Sequence, residues 1–287
     1  MSNYIRSNDP KFPCLLKNIN DCPKGLYYKG NIDNFNFKRS ISIVGTRKIS
    51  DYGRQCIEWL IENCANNGIS VVSGLAIGVD SVTHYKCLEK GVKTLAVLPL
   101  GIENITPSRN RNLYNMIISS GGCIVSEDGE VDSYNKYFFP RRNRIIAGLT
   151  PVCIVVEAGR RSGSIITADL AFDYGRTVFA IPGDLNREFS VGANNLIIHN
   201  KAELLSDFDQ ICKALGISKK ECVRSYNVSD DALLILKKIA SGINSETNLS
   251  ESSKEFKKTK INMLLTELEL NNIIKRSESG QISLQIT

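Results

Sequence analysis

The stretch from Asn135 to Leu170, NKYFFPRRNRIIAGLTPVCIVVEAGRRSGSIITADL, decides how this chain is read. Its centre, Val152 to Val156, is a continuous apolar run rich in β-branched residues. Such a run fits a strand buried on both faces, as in a parallel sheet. The strand ends in a turn, Ala158 to Ser164, that holds two glycines, two arginines and two serines. Ser164, Ile165, Ile166 and Thr167 then open a helix. Backbone N–H groups at a strand-to-helix turn point at whatever binds there, and the helix dipole favours an anion. Upstream lies a basic and aromatic cluster, Lys136, Tyr137, Phe138, Phe139, Arg141, Arg142 and Arg144, followed by a short apolar helix over Ile145 to Leu149. A second cationic surface with rings beside it suits a polyanion with stackable bases better than one small phosphate.

Outward from this stretch, the chain alternates strands and helices. Ser40 to Val44 is the first strand and runs into Gly45-Thr46-Arg47. A helix begins near Ser50 or Asp51, and Ile57, Leu60, Ile61 and Cys64 mark its buried face at i, i+3, i+4, i+7. Further strands fall at Ile69 to Val72, Thr94 to Leu98, Cys123 to Val125 (short and edge-like) and Val178 to Ile181. Helices start at Asp80 and near Arg109. This alternation implies βαβ units and a doubly wound, mostly parallel α/β sheet covered on both faces. In such folds ligands bind at the carboxyl ends of the strands. Four of those ends carry glycine, serine or arginine turns: Gly45-Thr46-Arg47, Ser73 to Gly78, Ala158 to Ser164, and Pro182-Gly183. Their convergence weighs more than any one turn, because a lone glycine often just permits a tight bend.

Around this core, residues 1–39 are polar, punctuated by Pro10, Pro13 and Pro23, and read as an extended lead-in. The core runs over 40–210, a polar linker over 211–227, and a small domain over 228–287. In that domain Asp230 to Ser241, a short segment near Thr247 and Leu249, and Ile261, Leu264, Leu265 and Leu268 read as helices. Residues 273–286 read as a hairpin, so the whole is a winged-helix pattern.

The totals bound the answer without deciding it. In 287 residues, 42% are hydrophobic and 23% charged, which is ordinary for globular chains. The net charge of +6 permits nucleic acid but does not demand it. Nine cysteines show no C-x-x-C spacing, which points to buried free thiols in a reducing cytosol. With only His84 and His199, a metal site is disfavoured. The first residues lack the apolar core of a signal peptide, and no apolar run approaches the ~20 residues a bilayer needs, so a cytoplasmic protein without a membrane partner is expected. No G-x-x-x-x-G-K-[ST] run occurs, so ATP hydrolysis finds no support.

Six ordered motifs carry a resemblance: Ser42-Ile-Val-Gly45-Thr-Arg47, Ser73-Gly-Leu-Ala-Ile-Gly78-Val-Asp80, Phe139-Pro-Arg-Arg142-Asn-Arg144-Ile-Ile-Ala-Gly148-Leu, Val156-Glu157-Ala158, Arg161-Ser-Gly163-Ser164-Ile-Ile-Thr167-Ala and Phe179-Ala-Ile-Pro-Gly183. Together, over roughly residues 10–205, they resemble the DNA-processing protein A family (DprA, or Smf). The resemblance implies a Rossmann-like core that binds single-stranded DNA, protects it in natural transformation and helps load the RecA recombinase. It also implies a homodimer and no cofactor, with no catalytic residue. Carried onto this sequence, Arg47 is similar to the family's phosphate-contacting arginine, Lys136 to a basic position ahead of the Phe-Pro-Arg-Arg-Asn-Arg motif, and Phe139 to an aromatic beside the DNA path. Where many members have Tyr-Pro and a basic or polar pair, this chain has Thr106-Pro107-Ser108-Arg109, so Arg109 replaces a neighbouring charge. The N-terminal helical domain of some relatives has no counterpart in these residues.

The expected DNA-binding set is therefore Gly45, Thr46, Arg47, Ser73, Gly74, Arg109, Lys136, Phe139, Arg142, Asn143, Arg144, Ser162, Gly163 and Ser164. Each has a plainer reading. Arg47 could pair with Asp51, and one or two of Arg141, Arg142 and Arg144 could hold the loop by pairing with Glu157 or a carbonyl. Asp80 could cap its helix, with His84 paired to it. The mixed charges around Lys254, Lys257, Lys258 and Lys260 favour a docking role for the small domain over sequence reading of duplex DNA. The competing function is a Rossmann-like nucleotide-binding hydrolase or sensor. Related nucleoside-monophosphate hydrolases use a Pro-Gly-Gly-x-Gly-Thr turn with a downstream glutamate, and here the turn is Ala158 to Ser164 without an evident paired glutamate. A winged-helix transcription regulator is a third reading.

Overall fold

The computed structural model describes residues 2–33, 35–129, 135, 137–217, 228–240, 243–253, 256–271, 273–277 and 281–284. The chain divides into two compact units, 1–223 and 224–287.

In chain order, the first unit contains β1 (Asn3–Arg6), α1 (Cys14–Lys17), β2 (Gly25–Gly30), β3 (Ser40–Val44), α2 (Asp51–Asn66), β4 (Ser70–Ser73), α3 (Val79–Glu89), β5 (Thr94–Leu98), α4 (Arg111–Ser119), β6 (Cys123–Ser126), α5 (Phe138–Leu149), β7 (Val152–Val155), α6 (Gly163–Asp173), β8 (Thr177–Ala180), α7 (Val191–Ile198), β9 (Glu203–Leu204) and α8 (Phe208–Ala214). Among the described residues they build one nine-stranded sheet in the order β1-β2-β6-β5-β4-β3-β7-β8-β9. From β6 to β9 every neighbouring pair is parallel. Every residue of β3, β4, β5, β6 and β7 is buried, as expected of strands covered on both sides. Alternate residues feed opposite cores. Val44, Val72, Val97 and Val155 pack with α5 and α6, whereas Ile41, Ile43, Val71 and Ile154 pack with Ile57, Leu60 and Ile61 of α2.

Three expectations need correction. Residues 1–39 are not a lead-in, because β1 and β2 pair antiparallel to each other and β2 pairs with β6. Cys123–Val125 is consequently an interior strand, flanked by β2 and β5. The segment after 210 is not yet linker: α8 runs to Ala214, and Ile211, Cys212 and Ile217 are buried in the core. Of the expected linker, residues 218–227 lie outside the described residues.

The helix expected over Ile145–Leu149 begins at Phe138. Pro140 is tolerated there because N–H groups of a first helical turn have no intrahelical partner. Phe138, Phe139 and the three arginines of the cluster therefore stand on a helix, which fixes the direction of each arginine.

The second unit holds α9 (Asp230–Ala240), α10 (Glu246–Ser252), α11 (Lys258–Leu270) and an antiparallel pair, β10 (Ile274–Arg276) and β11 (Ile282–Leu284). Ala232, Ile235, Leu249, Leu265 and Leu268 form its buried core.

Candidate nucleic-acid interface

The strand order reverses between β3 and β7: β4, β5 and β6 continue on one side of β3, β7, β8 and β9 on the other. Connections leaving such a pair diverge to opposite faces and leave a crevice at the strand ends. Here the crevice is bounded by the loop after β3 and the turn before α6.

The loop after β3 is held by its backbone. Thr46 N donates to Glu157 O at 2.7 Å, and Val79 N donates to Thr46 O at 3.1 Å. Beneath it, the buried Glu157 carboxylate accepts from Ser50 N at 2.9 Å and Ser50 Oγ at 2.5 Å, while Ser50 Oγ caps α2 by accepting from Gly53 N. A carboxylate at the start of a long helix is favourably placed against the dipole. Glu157 is thus committed to Ser50 rather than to an arginine. Thr46 is buried, and its hydroxyl accepts from Lys48 N. Gly45 and Thr46 therefore shape the loop, and Arg47 is the residue it presents. Arg47 is exposed, makes no ion pair with any described residue, and sits over the Phe139 ring with Cζ 5.7 Å from the centroid. The alternative pairing with Asp51 is not made.

Beside this loop stands the Ser73–Gly78 turn. Ser73 is fully buried and its Oγ donates to Ile43 O at 2.7 Å, so it ties β4 to β3 instead of facing a ligand. Asp80 Oδ2 accepts from Gly74 N at 3.2 Å and Ala76 N at 3.3 Å, which fixes the turn. Arg142, buried, donates through Nη1 to Gly74 O at 2.5 Å and Val97 O at 2.6 Å. A Cβ on Gly74 would collide with the Arg142 guanidinium and come within 2.7 Å of Asp80 Oδ2, so only glycine lets the two charges share this turn. Burial pushes the Asp80 carboxyl up and the Arg142 guanidinium down, each partly offset by the other charge. Arg142 and Gly74 are accordingly framework. Arg142 lines the crevice but spends Nη1 on two backbone carbonyls and Nε on Asn143 Oδ1, as one of the plainer readings has it.

His84 does not pair with Asp80. The Thr94 hydroxyl donates to Val71 O at 3.1 Å and so accepts from His84 Nδ1 at 2.8 Å, leaving buried Nε2 without a partner among the described residues. Burial, helped by the Arg142 charge, pushes the His84 imidazole down to about 3. The folded value lies below the ordinary 6.5, so this contribution to stability is complete above about pH 6.5 and is lost as pH falls toward 3. Denaturant midpoints measured across that range should fall with acid in the wild type and fall less in His84→Asn. Equal pH dependence would refute the assignment.

The remaining arginines of α5 point elsewhere. Arg144 is buried against Glu127 and donates to the Asp21 carbonyl, clipping the segment between β1 and β2 to the core. Arg141 pairs with Glu127 at 2.8 Å and Asp128 at 3.1 Å. Neither charge reaches the crevice, so Arg144 is removed from the contact set. Asn143 does face it, donating to Gly163 O at 3.2 Å. Arg109 is exposed on a short turn and lines none of the crevice cavities, whose rim there is Thr106 and Pro107. Lys136 lies outside the described residues.

The turn before α6 completes the site. Ser162 caps the helix, and its hydroxyl lies 2.7 Å from that of Ser164. Around an added Cβ at Gly163 there is open space, so the backbone here is approachable. Arg47, Phe139, Asn143, Arg161, Ser162, Gly163 and Ser164 thus meet around one cavity of about 340 Å³. A smaller one of about 90 Å³ shares Arg47 and Phe139 and extends to Pro107. Another of about 580 Å³ shares Arg161 and Ser162. By sequence, Arg160 belongs only to the turn, Arg161 to the turn and to a family motif, and Phe189 to neither. The signal for Phe189 was the Pro182-Gly183 strand end seven residues before it.

The family model for DNA recombination-mediator protein A matches residues 3–216. The chain belongs to that family. It is 37% identical over 216 residues to the Smf protein of Synechocystis, covering 74% of this chain and 54% of that one. Over 189 residues it is 41% identical to the DNA processing protein DprA of Streptococcus pneumoniae, covering 66% of each. The chain thus spans about half to two thirds of these relatives' length. A solved structure of DNA processing protein A from Helicobacter pylori, described for its single-stranded DNA binding mode, superposes with a TM-score of 0.65 at 29% identity, covering 74% of this chain and 95% of that one. The family match ends just after α8, so it covers the sheet with its crevice and leaves the second unit outside. Among the described residues, no group of three or more His, Cys, Asp or Glu is placed to hold a metal ion, and no helix is long and apolar enough to cross a membrane.

Proposed function

We propose that the crevice binds single-stranded DNA and makes or breaks no bond. The observation that carries this is Arg47, an exposed guanidinium without a carboxylate partner among the described residues, set against the Phe139 ring at the mouth of the strand-end cavity. A guanidinium grips a phosphate with two parallel bonds, and an adjacent ring offers a stacking face that every base can use. The Gly163 N–H at the start of α6, with the Ser162 and Ser164 hydroxyls, supplies a second phosphate seat. Binding of this kind is tolerant of sequence and steep in salt.

The cellular role that fits is protection of incoming single strands and their delivery to the RecA recombinase during transformation or recombination, by a cytoplasmic homodimer. Support for that part is family membership rather than crevice geometry. The second unit fits a winged-helix module used for docking. Its Lys260 and Arg276 are tied to Asp231 and Glu269, which leaves a weak basic face for duplex DNA.

The deciding experiment is a titration of labelled single-stranded and duplex oligonucleotides of one sequence at several salt concentrations. Tighter binding of the single strand, with log K falling linearly in log salt, is expected. Tighter duplex binding, or turnover of nucleotides incubated with the protein, would overturn the reading.

A further inference from the structure

The crevice does not end at Ser164. The turn Ala158 to Ser164 has a second side, where Thr46, Gly159, Arg160, Arg161, Phe189 and Val191 enclose about 580 Å³. Arg161 and Ser162 line both this groove and the 340 Å³ cavity, so the two adjoin across the turn.

Its chemistry repeats that of the first cavity. Arg160 and Arg161 are exposed and make no ion pair with any described residue. Phe189 is partly exposed on the opposite wall, and Glu188 on the rim offsets one of the two positive charges. Arg187, next in the chain, is already engaged by Asp184 at 2.9 Å and by the Tyr52 ring at 5.9 Å. A net cation beside an aromatic face is again the combination that takes a phosphate and a base.

The groove is also built rather than incidental. Ala158 N donates to Phe189 O at 2.6 Å and Gly192 N donates to Ala158 O at 2.7 Å, so the turn after β7 is bolted to the loop after β8. A Cβ on Gly192 would come within 2.6 Å of Gly159 O, so this close approach needs glycine. Asn194 fastens the loop after β8 to α7, accepting from Gly183 N at 3.1 Å and donating to Gly183 O at 2.9 Å.

We propose that this second groove is a further binding station for the same single strand, with phosphates on Arg160 and Arg161 and a base against Phe189. The proposal rests on the reading of the first cavity as a single-strand site. The strand then runs from the Pro107 rim, past Arg47 and Phe139, over Ser162, and out along Arg160.

The test uses the whole chain and oligothymidylates from about four to about sixteen nucleotides, the range of single-strand site sizes. Arg160→Gln with Phe189→Ala alters side chains that line only the second groove. Long oligonucleotides should bind roughly tenfold or more weakly to this variant, and the salt slope should fall by about 0.7 for the one phosphate lost. The shortest oligonucleotides should bind it as they bind the wild type. If Arg47→Ala weakens binding at every length while the double variant matches the wild type at every length, the strand leaves at Ser164 and the second station is refuted. If the wild-type chain binds no oligonucleotide, the first cavity's reading fails and the extension fails with it.

Discussion

Arg47→Ala is expected to weaken single-strand binding by about tenfold to a hundredfold while leaving the unfolding midpoint unchanged. The binding loss corresponds to about 1.5–3 kcal/mol for a charge-assisted contact. The neutral effect on stability follows from exposure: Arg47 touches the Phe139 ring and pairs with no described carboxylate, so nothing buried is orphaned by its removal. The salt slope should flatten by about 0.7 for each phosphate it holds. Arg47→Lys keeps the charge but not the paired donors, so it should recover the slope more fully than the affinity. A variant that binds like the wild type would place the strand elsewhere on the molecule.

Arg142→Met should do the reverse. This arginine serves the framework, so its loss should cost about 3–5 kcal/mol of stability, as when one member of a buried charged pair is removed. Gly74 O and Val97 O would lose their donor, and Asp80 would stay buried without its compensating charge. In a unit of this size the midpoint should fall on the order of 10 °C. Combining it with Asp80→Asn should cost less than the two single losses added together, because the orphaned carboxylate is gone. Strict additivity in that cycle would show that the two charges do not depend on each other. Any binding defect of Arg142→Met should disappear at temperatures where the variant is fully folded.

The contrast between these arginines marks how far the sequence could be read. The interior strands were legible because a strand covered on both faces must be apolar at every position, as Val152–Val155 is. The helix α2 was legible from a serine cap and a clean apolar face. By contrast, β1 and β2 were not, since Tyr4 and Tyr27 meet only through a pairing across some twenty intervening residues that leaves no local periodicity. Among site residues, Arg47, Phe139, Asn143 and Ser162 to Ser164 were found by motif, and the structure brings them to one cavity. Ser73 and Arg144 do not reach it, and Arg142 reaches it only as framework. A charged or hydroxyl side chain beside a motif reads as ligand-facing, and only the fold reveals that Val97 O, Ile43 O and Glu127 were waiting for those donors. Arg160 lay in plain view, but nothing local says which side of a turn opens into a groove.

The backbone bolts around Thr46 and Ala158 carry a kinetic consequence. Loops fastened at both ends have little entropy left to surrender when a strand arrives, so nearly all the ordering cost falls on the DNA. Capture should then proceed in one rapid step whose rate is set by diffusion and long-range charge, and stopped-flow traces should lack a slow, concentration-independent phase.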